Sequence, residues 1–387
     1  MFSLPTIMAG AWFINSVVIL LVVCFFMFHS GIYILECISK YGAGTNYFFI
    51  SKELLPRWAC YIANMALIFV LYILIYAYIS AAGSVIKEAA AIYGYNINLR
   101  LIFIIFTLIL GASIWWSGVG ASRLTSLFLF IKIILFILAF SGLFFIVKTD
   151  LLLTSPVEGG QTALLPFVFI IIPYAITSFG YHGNVCSLYK LYHENERKVV
   201  KSCVIGCVLA LVLYFLWIMG TWKSARAEFL TIINKGGNLD AFIESLYAVL
   251  NSKNIATFLL WFSISAVFCS FLGVAIGLFD YILASLNFKD NPSGRMKSAL
   301  LCFLPPLILC MLFPNGFLIA IAYAGMAACI WAIICPAVMA LKVRERFPDS
   351  RFKVWGGKGL IYAVIAFGVV GIICQLLAQF NLLPIYR

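Results

Sequence analysis

Lys132, His182 and the glycines Gly180 and Gly183 are the residues of this chain whose types sit least comfortably with their neighbours. The stretch SFGYHGNV (178–185) lies inside thirty-one residues, Gly159 to Tyr189, that hold no Asp, Glu, Lys or Arg. It contains two glycines, an Asn and one of only three histidines. Lys132 is equally isolated in LFIKIILF. Histidine titrates near neutrality, and an amine held in apolar surroundings gives up its proton more readily than it does in water. The chemistry these residues could do is proton exchange and the holding of a small polar group. No nucleophile–base pair and no metal-ligand spacing accompanies them, so neither an enzyme nor a metal site is expected.

The elements that must position these residues are membrane helices. The chain is 64% hydrophobic and 10% charged over 387 residues, with a mean hydropathy of +1.08, which excludes a soluble protein. One polytopic domain, 1–387, is expected, with no cleavable leader because no basic segment precedes the first apolar run. The twelve cysteines are scattered without a CxxC, which suggests neither zinc nor a disulfide framework. Charge-free runs predict full spans at about 12–35, 59–86, 101–122, 124–147, 163–186, 202–222, 254–283, 298–313, 317–341 and 359–381, with FPNG (313–316) splitting a run too long for one crossing. Ahead of them MFSLPTIMAG reaches only half-way across a core of about 30 Å.

The basic residues separate by side. Alternate loops, 36–57, 117–123, 187–201, 284–297 and 342–358, carry 17 Lys and Arg, and the other set carries 8. The rich set is expected in the cytoplasm and the C-terminus outside. The net charge of +12 is thereby a topology signal rather than a nucleic-acid footprint.

In hydrocarbon every backbone N–H and C=O needs a partner, so helix-breaking sequence survives only where it lines an enclosed or wet cavity. Gly180 and Gly183, downstream of Pro166 and Pro173, predict an unwound segment at membrane depth with a half-helix on each side. Free N–H groups there attract a carboxylate and free carbonyls an ammonium or cation, which are the two ends of an amino acid. The alternative is that the span ends near Gly180 and YHGN is a cytoplasmic turn. Counting the partial start as helix one, this helix is the sixth and begins a second set of five. Both members of that pair are irregular, which fits a five-plus-five inverted repeat with one further helix.

MFSLPTIMAGAWF, HSGIYILE, FVLYILIYAYISAAGS, SFGYHGNV, KGGNLDAFIESLYAVLNS, FLGVAIGLFDY, LFPNGFLIAIAYAG and RFKVWGGK occur in order along the whole chain. Together they resemble the aromatic amino-acid permeases, the tryptophan/tyrosine-specific family of the amino acid–polyamine–organocation superfamily, with MFSLP, GAWF and KGGN pointing to the tryptophan branch. The resemblance implies an all-α broken-helix (LeuT-like) fold of eleven helices and an inside N-terminus. It also implies proton symport of an aromatic amino acid into a bacterium across the inner membrane, with the proton gradient as driving force and no cofactor. Relatives carry a tail and a glycine-rich GAG ahead of MF. Helix one is therefore expected to be truncated here, through an upstream start or a shortened reading frame.

For substrate, Phe179, Gly180, Tyr181 and Gly183 are the candidates at the break. Tyr72 and Tyr76, i and i+4 on one helix face, offer aromatic faces for a ring or plain packing. For the proton, Lys132 is either a titrating amine or a snorkelling one, costing about 2.5–3.5 kcal/mol at mid-membrane. His182 is either a relay or a cap on the broken helix. Glu36 and Asp280 are either gates paired with loop Lys or Arg, or interfacial charges, and the interfacial reading is preferred. His29 reads as structural, and His193 as solvated. Gly273 and Gly277 read as a small-residue packing face, and Ser263 and Ser265 as donors or self-bonded serines. Tryptophan is the expected substrate and tyrosine the next. The chain's expected partners are the substrate, the proton and the lipid bilayer, with no nucleic acid and no obligate protein. The alternative function is a truncated, non-transporting membrane protein, a sensor or relic of the same fold.

Overall fold

A chain this poor in charge satisfies its backbone internally, and it does so as helices. The computed structural model of the chain describes residues 3–42, 44–144, 149–222, 253–384 and 386. Among the described residues ten helices are long and apolar enough to cross a membrane. They are α2 (Trp12–Ile38), α4 (Arg57–Ile92), α5 (Leu99–Trp116), α6 (Gly118–Phe144), an interrupted helix over 160–191, α10 (Glu196–Thr221), α11 (Lys253–Ser285), α12 (Pro292–Leu312), a continuous pair over 317–346, and α15 (Gly357–Gln379). The short helices α1 (Ser3–Met8), α3 (Tyr47–Leu54) and α7 (Thr149–Leu153) complete the count outside the two composite spans. The block KGGNLDAFIESLYAVLNS lies outside the described residues, as does the end of the span placed at 124–147.

Several helices begin where an asparagine can cap them. Asn46, Asn98, Asn195 and Asn291 each accept a backbone N–H from the first turn of α3, α5, α10 and α12. Such a cap contributes about 1 kcal/mol and fixes where the helix starts. Between α1 and α2 the chain turns through Trp12 at φ 59°, a left-handed backbone that a bulky residue rarely adopts. The Trp12 ring lies flat on Trp222 with centroids 4.7 Å apart, and Trp222 Nε1–H donates to Pro5 O at 3.2 Å, so α1 is tied to the end of α10.

The interrupted helix occupies the centre. It comprises a 3₁₀ segment (Gly160–Phe167), α8 (Val168–Ser178), a second 3₁₀ turn (His182–Asn184) and α9 (Val185–Leu191). Against it pack α1, α2, α13 (Phe317–Ala328) and α15. The helix α13 runs into a π-helical segment (Cys329–Ile334) and then α14 (Cys335–Arg346). The apolar window of this composite span is 67% buried and that of α11 is 61%, against 11% for α6, which places α6 at the periphery. Close approach is built at Gly325, where an added methyl would meet the Pro173 carbonyl of α8. The packing face expected at Gly273 and Gly277 is not formed: a methyl at either meets nothing, because that side of α11 faces open space.

Candidate functional site

Helix α8 ends just before Gly180, where the break is expected. Pro173 lies inside α8, which stops at Ser178, and the backbone of 179–181 is non-helical before the 3₁₀ turn at His182. Most of the freed carbonyls accept local backbone N–H groups, and one is taken up by a tyrosine of a neighbouring helix. Tyr214 of α10 donates its hydroxyl to Ser178 O. Tyr181 reaches back to α2 and donates to Phe28 O at 2.9 Å, and Gly31 allows the approach because any side chain there would overlap the Tyr181 ring. Thr177 Oγ1 lies 3.0 Å from Pro173 O and 3.2 Å from Ile321 O, joining α8 to α13. The expectation that the break leaves its carbonyls free is therefore corrected at Ser178, because a phenol on a packed helix satisfies it.

One side of the break stays open. Gly180, Gly183 and Asn184 are exposed, whereas Phe179, His182 and Val185 are buried between them. Phe179 stands edge-on to Tyr214 with centroids 5.2 Å apart. A methyl at Gly183 would meet nothing. The open side thus presents bare backbone at the level of an aromatic pair, a surface that suits a ligand with a flat ring and charged ends.

Of the expected site residues the structure gathers Phe179, Gly180, Tyr181, His182 and Gly183 at the break. Tyr72 and Tyr76 are used elsewhere. Their hydroxyls donate to Leu301 O at 2.8 Å and Phe313 O at 2.7 Å, so both hydroxyls seam α4 to α12 and to the turn that follows it. Lys132 is half-buried on α6 within electrostatic reach of Cys269 on α11, away from the elements that enclose His182.

His182 is 1% exposed, and its Nε2 lies 2.8 Å from Ser30 Oγ of α2. Its ring lies against Tyr181 at 4.9 Å and meets Trp331 edge-on at 6.0 Å. Trp331 sits in the π segment, where the widened turn breaks the regular ladder, and its carbonyl accepts Tyr47 Oη–H at 2.6 Å. Burial holds the Tyr47 phenol well above its ordinary range, so it remains a donor. His182 Nδ1 and Trp331 Nε1 are both buried without a hydrogen-bond partner among the described residues.

Glu36 departs from the interfacial reading. It is fully buried at the end of α2, and its carboxylate accepts Arg344 Nε–H at 2.7 Å, Arg344 Nη2–H at 2.8 Å and Val354 N–H at 2.9 Å. Arg344 Nη2–H also donates to Val354 O. The reason is geometric: a planar guanidinium from α14 and a loop amide meet both carboxylate oxygens, which lets the charge be buried. Asp280 is exposed, and Arg295 nearby spends its donors on Asp290, Ile114 O and Trp115 O. His29 donates Nδ1–H to Phe25 O at 2.7 Å and its ring meets Phe25 and Trp355, while its Nε2 is buried without a hydrogen-bond partner among the described residues. Ser263 bonds its own helix at Leu259 O.

Sequence reasoning missed Ser30, Trp331, Tyr47, Tyr214 and Arg344. CIWAII (329–334) is as apolar as any span, and nothing in it signals the π segment. HSG and RFKVW were visible as blocks, but not that His29 and Glu36 meet Trp355 and Val354.

The chain has known relatives. The model of the tryptophan/tyrosine permease family matches residues 1–375. A low affinity tryptophan permease of Proteus vulgaris is 78% identical over 377 residues, covering 97% of this chain and 90% of that protein. A tryptophan-specific transport protein of Shigella flexneri is 42% identical across 100% of this chain and 93% of its own. A tyrosine permease of Enterobacter agglomerans is 36% identical across 99% and 93%.

Proposed function

The chain belongs to the tryptophan/tyrosine permease family, and from that premise we propose that it imports an aromatic amino acid, tryptophan first and tyrosine next, together with protons. The observation that carries the substrate is the 78% identity to a protein named a tryptophan permease. The ten apolar helices agree with a multi-pass membrane protein. The broken helix at 179–184 supports the five-plus-five fold with an added helix, in a single domain whose C-terminus faces out of the bacterial inner membrane. No cofactor is needed, because the proton gradient supplies the driving force.

In this reading the open backbone of Gly180 and Gly183 holds the charged ends of the substrate, and the aromatic pair Phe179 and Tyr214 faces its ring. Tyr181 positions the break by its bond to Phe28 O rather than by touching substrate. Lys132 and His182 are the groups that exchange the coupled proton. The Glu36–Arg344 pair, on the side rich in Lys and Arg, closes the cytoplasmic face. Access alternates because the protonated and deprotonated forms bind substrate with different affinity in the two conformations.

The test is uptake of radiolabelled tryptophan by cells lacking their own aromatic permeases. Accumulation that an uncoupler abolishes, and that unlabelled tryptophan competes more strongly than tyrosine, is expected. Accumulation indifferent to the uncoupler removes the proton, and no accumulation removes the import reading.

A further inference from the structure

Two helix irregularities, the break of 179–184 and the π segment of 329–334, meet at a pair of buried rings that each keep one polar atom without a partner. His182 and Trp331 are 1% and 7% exposed, their centroids are 6.0 Å apart, and neither His182 Nδ1 nor Trp331 Nε1 has a partner among the described residues. Buried polar atoms are nearly always satisfied, so two unsatisfied ones on neighbouring rings call for an explanation. Trp331 is held by Tyr47, whose hydroxyl takes the Trp331 carbonyl and whose ring meets the indole edge-on at 5.6 Å.

Ser30 decides which form of His182 is present. Its Oγ has one proton and two contacts, Met27 O at 3.0 Å and His182 Nε2 at 2.8 Å. A carbonyl can only accept, so the hydroxyl proton serves Met27 O. Both contacts are then hydrogen bonds only if His182 Nε2 carries a proton and donates it to Oγ. The opposite tautomer would turn the Ser30 hydroxyl from Met27 O to Nε2, so that one of its two hydrogen bonds is lost.

We propose that Ser30 is a positioning residue for the coupled proton: it holds His182 as the Nε2–H tautomer, so that Nδ1, buried beside Trp331, is the atom that takes up and releases the proton. This rests on the proton-coupled reading above. On loading, H⁺ adds to the Nδ1 lone pair and forms an imidazolium whose Nε2–H still donates to Ser30 Oγ. On release the same proton leaves Nδ1 and the Nε2–H tautomer returns, so the proton enters and leaves by one nitrogen and never crosses the ring. Among the described residues, the titratable groups near the ring include Tyr181 beside it, Tyr47 across Trp331 with Cys37, Cys60, Cys186 and Cys335 around that phenol, His29 next to Ser30, and the Glu36–Arg344 pair on the far end of α2. Tyrosine and cysteine are ordinarily neutral near pH 7, and the charged pair is closed on itself, so among the described residues no side-chain charge in contact with the ring competes with Ser30 for its orientation.

The experiment is two-bond ¹H–¹⁵N correlation of ¹⁵N-histidine-labelled full chain in lipid nanodiscs near neutral pH, with uptake into vesicles in parallel. The chain has three histidines, and His182→Gln identifies the signal. Wild type is expected to show His182 protonated at Nε2 and bare at Nδ1. Ser30→Ala should show both tautomers, and its steady-state accumulation ratio should fall to about one, the value for uncoupled equilibration. Ser30→Thr, which keeps a hydroxyl, should restore both. A wild-type spectrum with the proton on Nδ1 overturns the proposal without any Ser30 variant, so a variant that fails to insert does not shelter it. Wild-type accumulation in Ser30→Ala or in His182→Gln overturns it as well. Failure of the import reading shows separately, as wild-type vesicles without uptake, and the spectrum still decides the tautomer.

Discussion

At the residue scale, the proposed function rests on bare backbone and single titratable side chains. Gly180 and Gly183 leave the break open, and a side chain at the first would occupy the space assigned to substrate. Gly180→Leu is expected to abolish tryptophan binding in membranes that still contain the protein in normal amount; unchanged affinity would place substrate elsewhere. For the proton, Lys132→Gln and His182→Gln should lose uphill uptake far more than they lose counterflow exchange, since exchange needs binding and movement but no net proton transfer. Full accumulation by both variants would exclude both groups. Legibility at this scale divided by chemistry. A histidine, a lysine and paired glycines announce themselves in an apolar run because each is costly there. Ser30 and Tyr47 do not, since a serine or a tyrosine is an ordinary helix residue until a partner 152 or 284 residues away is known. The same holds for Tyr72 and Tyr76, whose spacing on one face is real but whose hydroxyls answer carbonyls of α12 and of the turn after it.

At the scale of elements, the end of α2 and the loop before α15 act as one unit. Glu36 accepts three hydrogen bonds there, two from Arg344 and one from Val354. Breaking a buried ion pair by removing one partner costs about 3–5 kcal/mol, because the remaining charge stays buried. Glu36→Gln and Arg344→Met should therefore each lower the thermal midpoint of the solubilised protein, and the two together should cost less than the sum of the singles. Additive losses would mean that the pair does not act as a unit. The all-helical, many-span character was plain from charge-free runs, since a membrane leaves a long apolar segment few other structures. The π segment was not: a π turn differs from an α turn by one residue of register, and no residue in CIWAII compels it. Nor could the run containing Glu36 say whether the carboxylate would meet lipid headgroups or an arginine 308 residues on.

For the whole molecule, the uneven loops make the strongest statement. In the proposed topology the set with 17 Lys and Arg lies in the cytoplasm and the C-terminus lies outside. A cleavable tag at the C-terminus should be removed by protease added to intact spheroplasts, while one inserted in the 284–297 loop should survive until lysis. The reverse pattern would invert every sidedness assignment, and with it the direction in which Glu36 and Arg344 close the molecule.

One helix, α2, holds both Ser30 and Glu36, six residues and about 9 Å apart along a stiff rod. In the proposed reading the Ser30 contact to the titrating ring and the Glu36 contact that shuts the far end cannot easily part company, because both lie on one continuous helix. The consequence is thermodynamic economy: a carrier so built has little slip, and its proton-to-substrate stoichiometry should stay fixed as the membrane potential varies. Reversal-potential measurements on reconstituted vesicles would read that ratio directly, and a ratio that drifts with potential would mean the rod bends.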